Sequence, residues 1–290
     1  MLIGLHDADR NGFPNLALMK ISAWHKAQGD EVRWWIPMEE YDKVYSSKVF
    51  TFTPEESMLP PGTIKGGTGY HIYDELPPEV DAMYPDYSIY PDVDYAIGFL
   101  TRGCIRNCPW CIVPRKEGAI RPYNTWKQIK RPDSRDILFM DNNVLACPHG
   151  LSQIRKMTRK SIRVDFNQGL DARLITADIA KDLAKLKWIR YIRMSCDTDE
   201  MLGIVENAIH LLADAGVKPY RIFVYLLVTE DIASAERRAL TLRDLGVEVF
   251  AQPYRDYDGG EPSKDMRRFA RWVNMKAVFK STRRFADYKG

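Results

Sequence analysis

Apolar residues recur along the chain at two spacings. Short apolar or alternating runs predict strands, and stretches with apolar residues three and four apart predict helices. Residues 2–6 form an apolar run that predicts a buried strand. Leu16, Met19, Ala23 and Trp24 share one face of a helix predicted over 15–28, and Gly29 follows its end. Further strands are predicted at 31–36, within 43–52, and at 63–69. This small α/β unit ends in a stretch, 76–94, whose Pro77, Pro78, Pro85 and Pro91 predict a linker. From Tyr95 strands and helices alternate. Strands are predicted at 95–101, 136–140, 162–166, 189–194, 220–228 and 248–252, with helices at 150–159, 177–186, 201–215 and 232–245. Six strands with helical connections of this length imply parallel pairing and right-handed crossovers. The expected fold class is α/β: a partial parallel (β/α)6 barrel preceded by a small α/β domain. The expected divisions are 1–75, a linker 76–94, a barrel 95–262 and a closing segment 263–290. In parallel barrels the chemistry collects at the C-terminal ends of the strands.

Composition narrows the class only a little. The 290 residues are 45% hydrophobic and 28% charged, which excludes a disordered chain. No apolar run is long enough to span a bilayer, and the first residues lack a secretory signal, so a cytoplasmic protein with no membrane partner is expected. The net charge of +3 forces no partner. Charge is uneven, however: from Lys264 onward nine basic residues stand against two acidic ones. With Phe269, Trp272, Phe279 and Phe285 interleaved, such a tail could hold a phosphate backbone and stack on bases. Met266, Phe269, Ala270, Val273 and Ala277 fall near helical spacing, and this favours a closing helix that packs on the core with a solvated basic face.

Five cysteines are too few for a disulfide scaffold, yet three of them fall within eight residues. Cys104, Cys108 and Cys111 stand at C-x3-C-x2-C directly after a predicted strand. Three thiolates on one loop suit an iron–sulfur cluster, whose irons favour soft ligands. A [4Fe–4S] cluster held by three cysteines keeps one iron open to a substrate or cofactor. Zinc is the other metal reading, with Cys147 or His149 as a fourth ligand. Buried, unligated cysteines are the remaining one.

The motif, with Trp110 before its last cysteine and a barrel strand before its first, resembles the radical S-adenosylmethionine (SAM) enzymes. The resemblance covers about Tyr95 to Tyr254. It implies that Cys104, Cys108 and Cys111 hold a [4Fe–4S] cluster whose open iron chelates SAM, and that reduction cleaves SAM to a 5′-deoxyadenosyl radical. Trp110 would lie beside the adenine. Asp141, Asn142 and Asn143 end the second strand, where relatives meet the SAM amino group; a polar strand-to-helix turn is the alternative. Arg173 could pair with the SAM carboxylate or be a surface arginine. Ser195 and Asp197 end the fourth strand, where relatives meet the ribose; Asp197 could equally cap the next helix. An electron donor of the flavodoxin or ferredoxin type is implied. Catalytic residues acting on a substrate are not identified. Cys147 and Cys196 each closely follow a barrel strand and could share the mouth, although two unrelated buried cysteines are expected.

The front domain resembles a shortened, Rossmann-like cobalamin-binding domain. The resemblance rests on the opening strand, Phe13-Pro14-Asn15-Leu16, Gly29-Asp30-Glu31-Val32 and Gly66-Gly67-Thr68. The Asp-x-His-x-x-Gly signature of a cobalt-ligating histidine is absent, since the chain reads His6-Asp7-Ala8-Asp9-Arg10-Asn11-Gly12. Bound cobalamin is not expected. The substrate is unknown, with RNA as one candidate, because Cys111-Ile112-Val113-Pro114 and Arg115-Lys116 resemble the tRNA and ribosomal-protein methylthiotransferases. Those relatives carry a second cluster on N-terminal cysteines, whereas the first 103 residues here contain none. A non-catalytic nucleic-acid-binding metalloprotein is the reading from another class.

Overall fold

The computed structural model describes residues 1–257 and 260–290. The chain divides into two compact units, one formed by residues 1–94 with 115–117 and 257, the other by 95–114, 118–256 and 260–290.

In the first unit, β1 (Leu2–Asp7), β2 (Glu31–Trp34), β3 (Lys43–Ser47) and β4 (Ile64–Gly66) form one parallel sheet in the order β2-β1-β3-β4. Helix α1 (Leu16–Ala27) starts at Asn15, whose side chain accepts the Leu18 N–H. The small core joins Ile3 and Leu5 of β1 to Leu18 and Ile21 of α1 and to Val80. Val80 belongs to α2 (Pro78–Asp81), inside the stretch expected to be a linker. That expectation is corrected, because residues 76–94 pack on α1. Lys20 Nζ reaches Asp81 at 2.7 Å, and Asp86 accepts from Ser22 Oγ at 2.6 Å and Lys26 Nζ at 2.7 Å. Prolines here shape a tight path over the helix and do not free the chain.

In the second unit, β5 (Ala96–Gly98) leads to a two-residue antiparallel pair, β6 (Thr101–Arg102) with β7 (Arg121–Pro122), which closes the base of the cysteine loop. The predicted strand 95–101 is therefore two strands. Short helices α3 (Val113–Lys116) and α4 (Trp126–Ile129) flank β7 in the chain. Then follow β8 (Asp136–Phe139), α5 (Pro148–Met157), β9 (Arg163–Phe166), α6 (Ala177–Lys185), β10 (Lys187–Trp188), β11 (Ile192–Ser195), α7 (Asp199–Asp214), β12 (Ile222–Val228), α8 (Ile232–Asp244) and β13 (Glu248–Pro253). β10-β9-β8-β5 and β11-β12-β13 are parallel sheets, joined by a parallel bridge between Leu170 and Met194. The predicted strand 189–194 is shifted: β10, just before it, pairs with β9, Ile189 N–H donates to the Val164 carbonyl at 3.0 Å, and only its last residues belong to β11, which pairs with β12. The six expected barrel strands are present as an arc. Among the described residues no pairing joins β5 to β13, so closure into a barrel is not observed.

Alternate residues of β12 (Ile222, Val224, Leu226 and Val228) are fully buried, in one core with Val205 and Ala208 of α7, Ala235 and Ala239 of α8 and Phe269 beyond. The open edge is covered by α9 (Lys264–Asn274), followed by α10 (Lys276–Ser281). Asn274 donates from Nδ2 to the Ala251 carbonyl at 3.0 Å and accepts the Ala251 N–H at 2.8 Å. At Ala251 one carboxamide thus supplies the pair of bonds that another strand would offer, which blunts the sheet edge at that position. The closing segment was expected as a helix packed on the core of the barrel. It lies along the β13 flank, with Phe269, Trp272 and Val273 buried as the spacing indicates.

Candidate functional site

Parallel register brings the strand ends together. Gly98 pairs with Phe139, Phe139 with Phe166, and Ser195 with Tyr225. The loops that follow β5, β8, β9 and β11 therefore leave the same edge of the arc, and every predicted site residue lies on one of them or, for Ser195, at the last position of its strand.

The cysteine loop is anchored at its start. Gly103 has φ +80°, and a Cβ there would meet the Ala119 carbonyl oxygen at 2.3 Å, so only glycine fits. Cys104 N–H donates to the Gly118 carbonyl at 3.2 Å, and Cys111 N–H donates to the Cys108 carbonyl at 3.0 Å. All three thiols are half-buried and free. The Cys104 sulfur accepts two N–H groups, from Arg106 backbone at 3.3 Å and Asn143 Nδ2 at 3.4 Å. Burial raises the Cys111 pKa, and the neighbouring Cys108 and Cys104 push it the same way. Among the described residues no three His, Cys, Asp or Glu side chains converge as a preformed metal site.

Asp171, which sequence reasoning passed over, is the hub of the site. Its Oδ2 accepts from Arg106 Nε at 3.0 Å and Asn143 Nδ2 at 3.1 Å, and its Oδ1 from Arg173 Nε at 2.6 Å. Burial opposes its charge, but the two guanidinium groups outweigh it and hold the carboxyl below the usual range. Arg173 also hydrogen-bonds the Cys108 thiol. One carboxylate therefore ties the cysteine loop to the ends of β8 and β9. The signal in the sequence was Asp171 two residues before Arg173, a spacing that suits a local side-chain pair.

Asp141 and Asn143 diverge in role. Asp141 is 1% exposed, and both its oxygens are engaged by the turn after β5: Leu100 N–H at 3.0 Å, Thr101 N–H at 2.6 Å and Thr101 Oγ1 at 2.7 Å. It clamps the approach to the cysteine loop. Burial pushes its carboxyl up to about 6 against those three donors. Asn143 is buried, and its Oδ1 has no hydrogen-bond partner; the Asn142 Oδ1 is likewise buried and unpartnered. At the end of β11, Asp197 accepts from Ser195 Oγ at 3.2 Å and from the Trp110 indole. Burial raises its pKa. Trp110, Ser195 and Asp197 are thus brought together. Cys147 and Cys196 are both buried; the Cys196 thiol is pushed up to about 12 by burial and points to the Thr198 carbonyl at 3.9 Å. His149 Nε2 bonds the Asn124 carbonyl at 2.9 Å.

The Asp141 clamp makes a prediction. In Asp141→Asn one oxygen becomes an NH2 that faces a backbone N–H, leaving a buried donor without an acceptor. The variant is expected to lose about 1–3 kcal/mol in urea melts. The folded-state value near 6 lies above the ordinary 3.8, so only the folded protein takes up this proton between those values. This carboxyl therefore favours the folded state increasingly as pH falls through that window. The variant should lack that contribution, and melts at pH 7 and pH 5 check both points.

No protein-family model matches the chain, and no curated protein matches it. Among solved structures it is similar to the cobalamin-dependent S-adenosylmethionine radical enzyme OxsB, solved with aqua-cobalamin and S-adenosylmethionine bound. The TM-score is 0.52 at 12% identity, over 83% of this chain and 51% of that one. The chain spans about half the length of that enzyme, and at this identity the likeness is one of fold. Among the described residues no helix is long and apolar enough to cross a membrane.

Proposed function

We propose that the protein is a radical SAM enzyme, in which Cys104, Cys108 and Cys111 hold a [4Fe–4S] cluster and SAM occupies the open iron. The fold likeness supports the general class. The observation that carries the reading is the pair of buried, unpartnered carboxamide oxygens at Asn142 and Asn143, the second on the side chain whose Nδ2 touches the Cys104 sulfur. A buried acceptor without a donor is costly, and the N–H groups of an amine placed against the cysteine loop would supply the missing donors. The donor set fits as well: three soft thiols on one loop with two N–H groups already aimed at one sulfur.

When bound, the reduced cluster would supply the one electron that splits SAM into methionine and a 5′-deoxyadenosyl radical. The chain's own residues bind and orient. Asn142 and Asn143 accept from the SAM amino group. Arg173, held by Asp171 beside Cys108, presents its charge to the SAM carboxylate. Trp110, steadied by Asp197, offers a face to the adenine, while Ser195 and Asp197 meet the ribose. Arg106 and Asn143 direct N–H groups at the Cys104 sulfur, a contact that tunes reduction potential in such clusters. A flavodoxin- or ferredoxin-type protein would deliver the electron.

The test is anaerobic reconstitution with iron and sulfide, followed by reduction with dithionite in the presence of SAM. Formation of 5′-deoxyadenosine and methionine is expected. A reconstituted protein that binds zinc and no iron would overturn the reading.

A further inference from the structure

The first unit holds a cavity of about 300 Å³ at the C-terminal ends of β1 and β2, remote in sequence from the cysteines. In open parallel α/β sheets ligands bind outside the carboxyl ends of strands where the strand order reverses. Here the order β2-β1-β3-β4 reverses between β1 and β3, and the cavity opens beside that point, at the carboxyl end of β1 on its β2 side.

We propose that this cavity binds a free mononucleotide, its base against the aromatic wall and its phosphate on Arg10. The site goes beyond the radical SAM reading and does not depend on it.

The floor is fixed. His6 is 4% exposed; its Nδ1 lies 2.8 Å from Ser46 Oγ, which lies 2.7 Å from Tyr70 OH. Burial, and then the Arg10 charge, lower the His6 pKa, so the ring faces the cavity as a neutral imidazole. Asp7 accepts from Tyr90 OH at 2.8 Å and adds an acceptor for ring N–H groups. Trp34 stands edge-on to Tyr90, 5.2 Å between centroids, and its indole is pinned to the Ile89 carbonyl at 3.2 Å. Pinned, it still exposes 38% of its surface.

The rim is uncommitted. Phe13 is 64% exposed. Arg10 is a non-glycine residue in the left-handed region at φ 41°, and its guanidinium has no carboxylate partner among the described residues. Such backbone strain concentrates at ligand clamps. Aromatic faces for a base, a free guanidinium for a phosphate and fixed polar edges for base recognition are the parts of a nucleotide site. The volume sits at the lower end for ligand pockets, roughly 300–1,000 Å³, which suits one nucleotide. It does not suit a corrin macrocycle. The β1–α1 loop offers no histidine to cobalt either, since His6 sits within β1 and is bonded to Ser46.

The test is titration calorimetry of the full chain with AMP, GMP, CMP, UMP, the matching nucleosides, a trinucleotide and hydroxocobalamin. At least one mononucleotide should bind at one equivalent. Arg10→Gln and Phe13→Ala should each weaken it by about tenfold or more with unchanged melting, because both side chains are exposed. Removal of the phosphate should weaken it by a similar factor. Binding of none of the four at millimolar concentration, or indifference to both variants, would overturn the proposal. So would a trinucleotide bound about tenfold tighter than any mononucleotide, or stoichiometric cobalamin that displaces the nucleotide. Iron content and SAM cleavage, measured on the same samples, report separately on the cysteine site.

Discussion

Single replacement of Cys104, Cys108 or Cys111 by alanine is expected to reduce 5′-deoxyadenosine formation to background and to lower bound iron sharply. In the proposed site each thiolate would supply one of only three protein ligands, and no neighbouring group is placed to stand in. Asp171, which reaches the cysteine loop through Arg106, is already held by Arg106, Arg173 and Asn143. Cys196 is fully buried, with a thiol pushed up to about 12, and a thiol in that state is a poor ligand. Cys147→Ala and Cys196→Ala are therefore expected to retain wild-type iron, and His149, bonded to the Asn124 carbonyl, should be equally dispensable. Iron and sulfide analysis of the five cysteine variants, with product assay on each, checks the set. Full iron in Cys108→Ala together with loss of iron in Cys147→Ala would shift the cluster to a different ligand set.

Trp272→Ala is expected to be the most damaging substitution outside the cysteine loop. The indole is fully buried against Phe269, Phe279 and Phe285, with ring centroids 5.5, 5.0 and 5.6 Å away. Removing such a ring costs about 3–5 kcal/mol, a large share of the roughly 5–15 kcal/mol that holds a domain together. A fall in melting temperature on the order of 10 °C is expected. Trp272→Phe should cost far less, since it keeps ring contacts and discards an indole N–H that is buried without a partner. The basic side chains are a separate matter. Arg268 stacks on Phe285 at 4.8 Å and bonds the Tyr288 and Gly290 carbonyls, whereas Arg267 pairs with exposed Glu261 and Arg271 is exposed. Arg267→Gln with Arg271→Gln should therefore leave stability within about 0.5 kcal/mol. The double variant also isolates a nucleic-acid role: a loss of salt-dependent RNA affinity at unchanged melting would restore that reading of the tail.

Local chemistry made much of this protein legible from its sequence. The C-x3-C-x2-C spacing lies within eight residues, so it survives any arrangement of the rest of the chain. The alternation of apolar strands and amphipathic helices after Tyr95 settled the parallel order of strands, because helical crossovers leave few other topologies. The 3.6-residue spacing of Met266, Phe269 and Val273 likewise named the buried face of α9. What the tertiary structure alone decided are pairings between residues distant in sequence. Asp141 and Asn143 are two positions apart and of similar polarity, yet one is taken up by the Leu100–Thr101 turn and the other keeps an unpartnered oxygen. Arg173 reads as a free cation until Asp171 is seen to hold it and Arg106 together. Residues 76–94 read as a linker from their prolines, because nothing local reveals that Val80 completes a core with Leu18. The run 189–194 reads as one strand, but β9 pairs with the two residues before it and β12 only with its end. Asn274 looks like any helix-end asparagine until Ala251 is found to lack a strand on that side. Hydrophobic period and ligand spacing are properties of neighbouring residues, whereas hydrogen-bond satisfaction depends on which distant groups folding brings within about 3 Å.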